Sequence, residues 1–150
     1  MGKKRVITKT KEELLKERDK VEASIRKEIK IKTPQQIREG RIYIYSSYNN
    51  TILTLTDPQG NTLHGTSTGK IGFKGTKKGT PFAASKVAEA MILATRKLKI
   101  QKVKIFLKGV GAGRGSALRS LVTRDLDIVS IKDVTPVPHN GCQPKKPRRV

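Results

Sequence analysis

The sequence has 150 residues, 35% of them hydrophobic, with 33 lysines and arginines against 12 aspartates and glutamates, for a net charge of +21. That length supports one compact core, burying about 68–70% of the surface the unfolded chain exposes, and excludes two large domains. A single cysteine excludes an internal disulfide and suits a reducing compartment, while the self-repulsion of so basic a chain points to a polyanionic partner, a nucleic acid first, rather than to a free monomeric enzyme.

No stretch approaches the ~18 consecutive apolar residues of a membrane helix, and no apolar run follows the basic MGKKR start, so neither a membrane span nor a signal peptide is expected. Residues 1–40 carry 13 basic and 7 acidic side chains, interleaved as on a solvated helix with i,i+4 pairs. Thr10 and Glu13 have the S/T-x-x-E form of a capping box, and Leu14, Val21, Ile25 and Ile29 share one helical face. The spacing predicts a helix over 11–31, stopped by Thr33-Pro34. Its thin apolar stripe fits two readings equally, a marginal extension and a helix that docks on a partner.

From Arg41 the pattern turns to period two with β-branched and aromatic residues, predicting strands at 41–47, 51–57 and 61–66 joined by turns at Asn49-Asn50 and Asp57-Pro58-Gln59-Gly60. Residues 67–80 follow as a loop of glycines and lysines without an acid. Thr80-Pro81 is an N-cap followed by proline, and Ala84, Val87, Ala88, Met91 and Leu98 give the helix to about residue 98 a broad apolar face. In the strand 102–108, Val103, Ile105 and Leu107 face one way and Lys102, Lys104 and Lys108 the other. A glycine loop at 109–115, a helix at 116–125 and a strand at 126–134 complete the regular elements. The proline-rich, strongly basic segment 135–150 is read as an extended tail. The order of elements predicts an α/β fold, a mixed sheet layered against helices. The expected division is a helical basic extension at 1–40, a core at 41–134 and the tail at 135–150.

Between Arg41 and Ser120 the only carboxylates are Asp57 and Glu89, a poor supply for acid/base or metal-ion catalysis. The loop Gly109-Val110-Gly111-Ala112-Gly113-Arg114-Gly115 fits neither a dinucleotide fingerprint nor a P-loop. It is either a sharp βα turn or, with Lys108, Arg114 and Arg119 around its amides, a cradle for RNA phosphate, and the uniformly positive flanks favour the second. The loop holding Lys70, Lys74, Lys77 and Lys78 can follow a phosphate backbone, with Phe73 as a stacking surface. His139-x-x-Cys142 is only half a zinc site, so no metal and no cofactor are expected. With six aromatic residues and no RNP-type aromatic strand, recognition of a folded RNA by shape and phosphate is expected over base stacking.

The segments Ser47-Tyr48-Asn49-Asn50-Thr51-Ile52, Gly72-Phe73-Lys74-Gly75, Thr80-Pro81-Phe82-Ala83-Ala84, the glycine loop with Ala117-Leu118-Arg119, and Asp133 through Cys142 come in the order and spacing of one family. From about Gly40 to Val150 the chain resembles the small ribosomal subunit protein eleven family, its His-Asn-Gly-Cys segment being of the bacterial or organellar kind. It departs from the family's usual residues at Gly65 and Val110 and in its longer N-terminal region. The resemblance implies a ribonuclease-H-like arrangement without catalytic carboxylates, in a structural protein of the small-subunit platform. Expected partners are central-domain rRNA, the small-subunit proteins seven, eighteen and twenty-one, and mRNA near the exit channel, in a cytoplasmic or organellar ribosome with no membrane contact. By matching motif, Asn49, Asn50, Lys74, Lys77, Lys78, Arg114, Arg119, His139, Asn140 and the basic residues Lys145, Lys146, Arg148 and Arg149 are expected rRNA contacts. Lys70 and Lys108 join them on charge and position. The competing readings are a ribonuclease-H-like nuclease, which needs converging carboxylates, and a free nucleoid protein, which would fractionate with DNA.

Overall fold

The computed structural model describes residues 15–16, 19–23, 38–124, 126–143 and 145–146. Five strands, β1 (Glu39–Ser46), β2 (Thr51–Thr56), β3 (Thr62–Ser67), β4 (Lys102–Lys108) and β5 (Asp127–Asp133), form one sheet in the order β3-β2-β1-β4-β5. The first three make the expected antiparallel meander, whereas β1, β4 and β5 run parallel, so the sheet is mixed. Two helices, α1 (Pro81–Lys97) and α2 (Gly113–Val122), supply the crossovers that parallel neighbours require. Of the expected 11–31 helix, residues 15–16 and 19–23 are helical and the half-buried Val21 packs against the core; the rest lies outside the described residues. No helix among the described residues is long and apolar enough to cross a membrane.

The period-two pattern sets which face is buried. Ile42 pairs with Leu55 and Ile105, and Ile44 with Leu53 and Leu107, so one face is continuously aliphatic. Ala84, Val87, Ala88 and Met91 of α1 and Ala117 and Leu121 of α2 close over that face, all fully buried. Each buried Val, Leu or Ile contributes about 1.5–3 kcal/mol, against about 0–1 kcal/mol for an exposed ion pair, so aliphatic packing holds this chain together against its own charge. Ile71 is also fully buried, in the 67–80 segment read as a loop with no apolar period. It anchors a turn closed by Ile71 N donating to Ser67 O and Phe73 N to Thr68 O, after which Gly75–Gly79 form a short 3₁₀ turn.

The helix ends follow local chemistry. The Thr80 hydroxyl accepts from Ala83 N at 3.3 Å, as the Thr-Pro start predicts. At the other end Lys99 N donates to Arg96 O and Ile100 N to Thr95 O, the paired bonds of a Schellman cap, with Lys99 held at φ +56°. The second helix begins at Gly113, three residues before the expected start, because Arg114 N turns back to Gly111 O and Gly113 packs inward. A Cβ on Gly113 would lie 2.3 Å from Thr51 Oγ1 and 2.8 Å from Ala84 Cβ, whereas one on Gly115 would meet only Arg119 Nη2 at 3.7 Å.

Three outcomes are expected from denaturant titration. Gly113→Ala should destabilise the fold by about 1–3 kcal/mol through overpacking, while Gly115→Ala should be neutral or stabilising by up to about 0.5 kcal/mol. Lys99→Gly should stabilise by about 0.5–1 kcal/mol by relieving the left-handed conformation of a side-chain-bearing residue.

Candidate nucleic-acid interface

Sheet topology gathers the basic segments. The C-terminal ends of β1, β4 and β5 lie at one edge of the sheet, where the β1–β2 turn, the β3–α1 segment, the β4–α2 loop and the start of the tail also fall. This is where open α/β sheets bind ligands, at the point where the chain leaves β1 toward β2 on one side and β4 toward β5 on the other. Both helices start here, and neither has an acidic residue in its first turn, so the positive ends of two helix dipoles stand uncompensated.

The β1–β2 turn is the hub. Ser47 N donates to Asn50 O at 2.9 Å, Asn50 N donates to Ser47 Oγ at 3.2 Å, and the Thr68 hydroxyl donates to the Asn50 carboxamide oxygen. Asn50 is therefore half-buried and partly committed to the fold, while Asn49 is exposed. Gly109, at φ +96°, and Gly111 lie so close to this turn that a Cβ on either would come within 2.2 Å of Ser46 O or Ser47 O. Gly111 N donates to Ser46 O at 3.0 Å and Gly109 N to Thr135 Oγ1 at 3.2 Å. With Arg114 N also bonded, three amides that the sequence offered to phosphate are occupied within the protein, and the glycine loop works first as a packing turn.

The described candidate side chains divide into four groups. Lys74, Lys77 and Lys108 are exposed at this edge with Asn49, and Lys78 is half-buried beside them. Lys70 and Arg114 are tethered: Lys70 Nζ donates to Gly65 O at 2.7 Å, and Arg114 donates to Gly109 O at 3.1 Å and forms an ion pair with Asp133. Arg119 lies farther along α2, lining a groove of about 580 Å³ between the helices with Ser85, Ser116 and Arg124. His139, Asn140, Lys145 and Lys146 are exposed on the tail, whose residues 134–143 adopt neither helix nor strand. Arg148 and Arg149 lie outside the described residues. Phe73 is half-buried and meets Phe82 edge-on at 6.1 Å, so the more exposed ring at this loop is Phe82. Reasoning from sequence missed Ser46, Thr51 and Thr135 as the polar seam beneath the loop; three glycines at alternate positions, 109, 111 and 113, were the signal for a close backbone approach.

Three carboxylates, Asp57, Glu89 and Asp133, stand at separate places in the fold and are engaged there. Asp57, at the opposite end of the sheet, accepts from the amides of Gln59, Gly60 and Asn61 and from the Asn61 carboxamide, and that last bond leads the others in holding it below its ordinary range. Glu89 pairs with Lys86 and Arg124, both at 3.0 Å. Asp133 is lowered from 3.8 to about 2, first by the Thr135 hydroxyl, then by the Thr135 amide and Arg114.

Residues 40–149 match the family model described as ribosomal protein S11. The chain belongs to that family. The small ribosomal subunit proteins uS11 of two Treponema pallidum strains, one of subspecies pallidum and the other the Nichols strain, are each 50% identical to it over 121 residues, covering 81% of this chain and 96% of theirs. Ribosomal protein S11 is a structural, non-enzymatic component of the small subunit in translation, which removes the nuclease reading. In this S11 chain the family match begins at Gly40, where β1 becomes buried.

The Asp133 tether gives a pH signature. Its depressed value means that its contribution to stability is complete above 3.8 and is lost as pH falls from there through about 2. Followed by carbon NMR of the carboxyl, Asp133 should titrate near 2, and Thr135→Val should move the midpoint back toward 3.8.

Proposed function

We propose that this chain holds neighbouring rRNA helices of the small-subunit platform together during assembly, by neutralising phosphates at the C-terminal edge of its sheet. The convergence of three separate basic segments, 70–78, 108–114 and the tail, on the edge that also holds the Asn49-Asn50 turn carries this reading: the segments are distant in sequence, and only a polyanion gives them a common purpose. Asn49, Asn50, Lys70, Lys74, Lys77, Lys78, Lys108 and Arg114 form the edge, Arg119 reaches RNA from the helix groove, and His139, Asn140, Lys145, Lys146, Arg148 and Arg149 extend it along the tail. Residues 41–134 act as the core, 135–150 as a basic arm and 1–40 as a separate basic extension. The strand order, with a meander followed by two parallel crossovers, supports a ribonuclease-H-like arrangement. Within the platform the same edge helps to form the mRNA exit region beside small-subunit proteins seven, eighteen and twenty-one, in a cytoplasmic or organellar ribosome.

Phosphate recognition of this kind is salt-dependent. Binding to central-domain rRNA should weaken roughly 10³–10⁵-fold between 50 and 200 mM salt if ~6–10 phosphates are contacted. Replacing Lys74, Lys77 and Lys78 together by Gln should lower the salt slope by about 2–3. In a sucrose gradient the parent protein should travel with the small subunit and the triple variant should trail at the top; an affinity that is flat with salt would overturn the mechanism.

A further inference from the structure

We propose that the face of the sheet opposite the helices is a second RNA site, built for a single-stranded segment whose bases stack on Tyr43, Tyr45 and Phe106. The inference rests on the reading of the chain as an RNA-binding protein of the ribosome and adds a surface that none of the basic loops accounts for. Both helices lie over the Ile42, Ile44 and Leu107 side, so neither covers the alternate residues of β1 and β4. Sequence order hides what the parallel register brings together: Tyr43 sits opposite Phe106, and their rings stack at 4.9 Å with planes 15° apart. Tyr45 stands two residues along β1 and is 45% exposed. Three of the protein's six aromatic residues thus share one face, across the two adjacent strands at the middle of the sheet.

Charge selects the occupant. Arg41 and Lys104 sit opposite each other below the rings, and Lys132 is the register partner of Phe106 on β5. None of the three pairs with a carboxylate among the described residues, and the acids of this face, Glu39 and Asp127, lie together at its far end opposite Lys102. An apolar protein partner would strip water from these cations without replacing it, which is costly. A duplex keeps its bases stacked inside and has no use for exposed rings. A single strand supplies both complements, π-faces for the rings and one phosphate for each cation.

The full-length protein and a fluorescein-labelled octauridylate test this by anisotropy at 50 mM salt. Tyr43→Leu with Phe106→Leu, which keeps apolar bulk on the sheet, should weaken octauridylate binding roughly five- to a hundredfold and leave binding to folded central-domain rRNA unchanged. Lys104→Gln with Lys132→Gln, both exposed, should weaken the octauridylate in the same selective way, a check that does not depend on repacking. Replacing Lys74, Lys77 and Lys78 by Gln should do the reverse, so failure here and failure of the platform reading are separable. Ultraviolet crosslinking of the octauridylate should mark Tyr43, Tyr45 or Phe106. Unchanged octauridylate affinity in either face variant overturns the proposal. So does joint loss of both RNAs, crosslinking confined to residues 74–78, or a dimer in sedimentation that the face substitutions dissolve.

Discussion

The approach of three backbone segments to the β1–β2 turn is the constraint on which the rest of this structure hangs. At Gly79, Gly109, Gly111 and Gly113 an added Cβ would meet the turn or Thr51 at 2.2–2.4 Å, well inside van der Waals contact. Glycine is needed there for the absence of a side chain more than for its φ, since of the four only Gly109 has a positive φ. Because Gly79, Gly109 and Gly111 meet backbone and Gly113 meets the short side chains of Thr51 and Ala84, the lysine turn, the glycine loop and the start of α2 are located relative to one another by close packing rather than by long side chains. A basic surface assembled in this way is ordered before any RNA arrives, which reduces the entropy lost on binding.

Charge and packing are kept apart. Among the described residues the aliphatic layer between sheet and helices contains no ionised group, and buried hydroxyls are bonded at home, as Thr95 is to Met91 O and Ser46 to Thr51. From β1 onward, among the described residues, positive charge lies at the strand ends, on the tail and on the uncovered sheet face, where water and counterions screen it. Ion pairs between elements are few among the described residues, and two of them act as ties: Arg124 to Glu89 joins α2 to α1, and Arg114 to Asp133 joins α2 to the end of β5. Basic residues are therefore of two kinds here. Arg114 and Arg124 are spent on the fold, whereas Lys104 and Lys108 stand exposed.

Much of the architecture was legible in the sequence because its periodicities are strong. Alternation at Arg41 through Tyr45 and at Lys102 through Lys108 located both strands and their buried sides, and Thr80-Pro81 located the start of α1. The chain order gave the meander and the mixed sheet. Register was beyond it: nothing local says that Tyr43 lies against Phe106, 63 positions away, so the aromatic residues looked scattered. Ile71 was overlooked because a single anchor has no period. The start of α2 at Gly113, inside the expected glycine loop, is set by contact with Thr51, which local sequence does not show. Among the site residues the exposed lysines were readable as charge, but the internal engagements of Asn50, Lys70 and Arg114 depend on partners 18, 5 and 19 residues away.

The tie between Thr135 and Gly109 also sets a leash. It pins the start of the tail where β5 ends, so the segment leaves the domain from a fixed point. Lys146 is 11 residues past Thr135, a contour of at most about 36–40 Å, while a domain of ~100 residues has a radius of gyration of about 13 Å. A small body with an arm several times its own radius can touch RNA far from where its core is seated. The hydroxyl of one threonine thus marks where the packed domain ends and the arm begins.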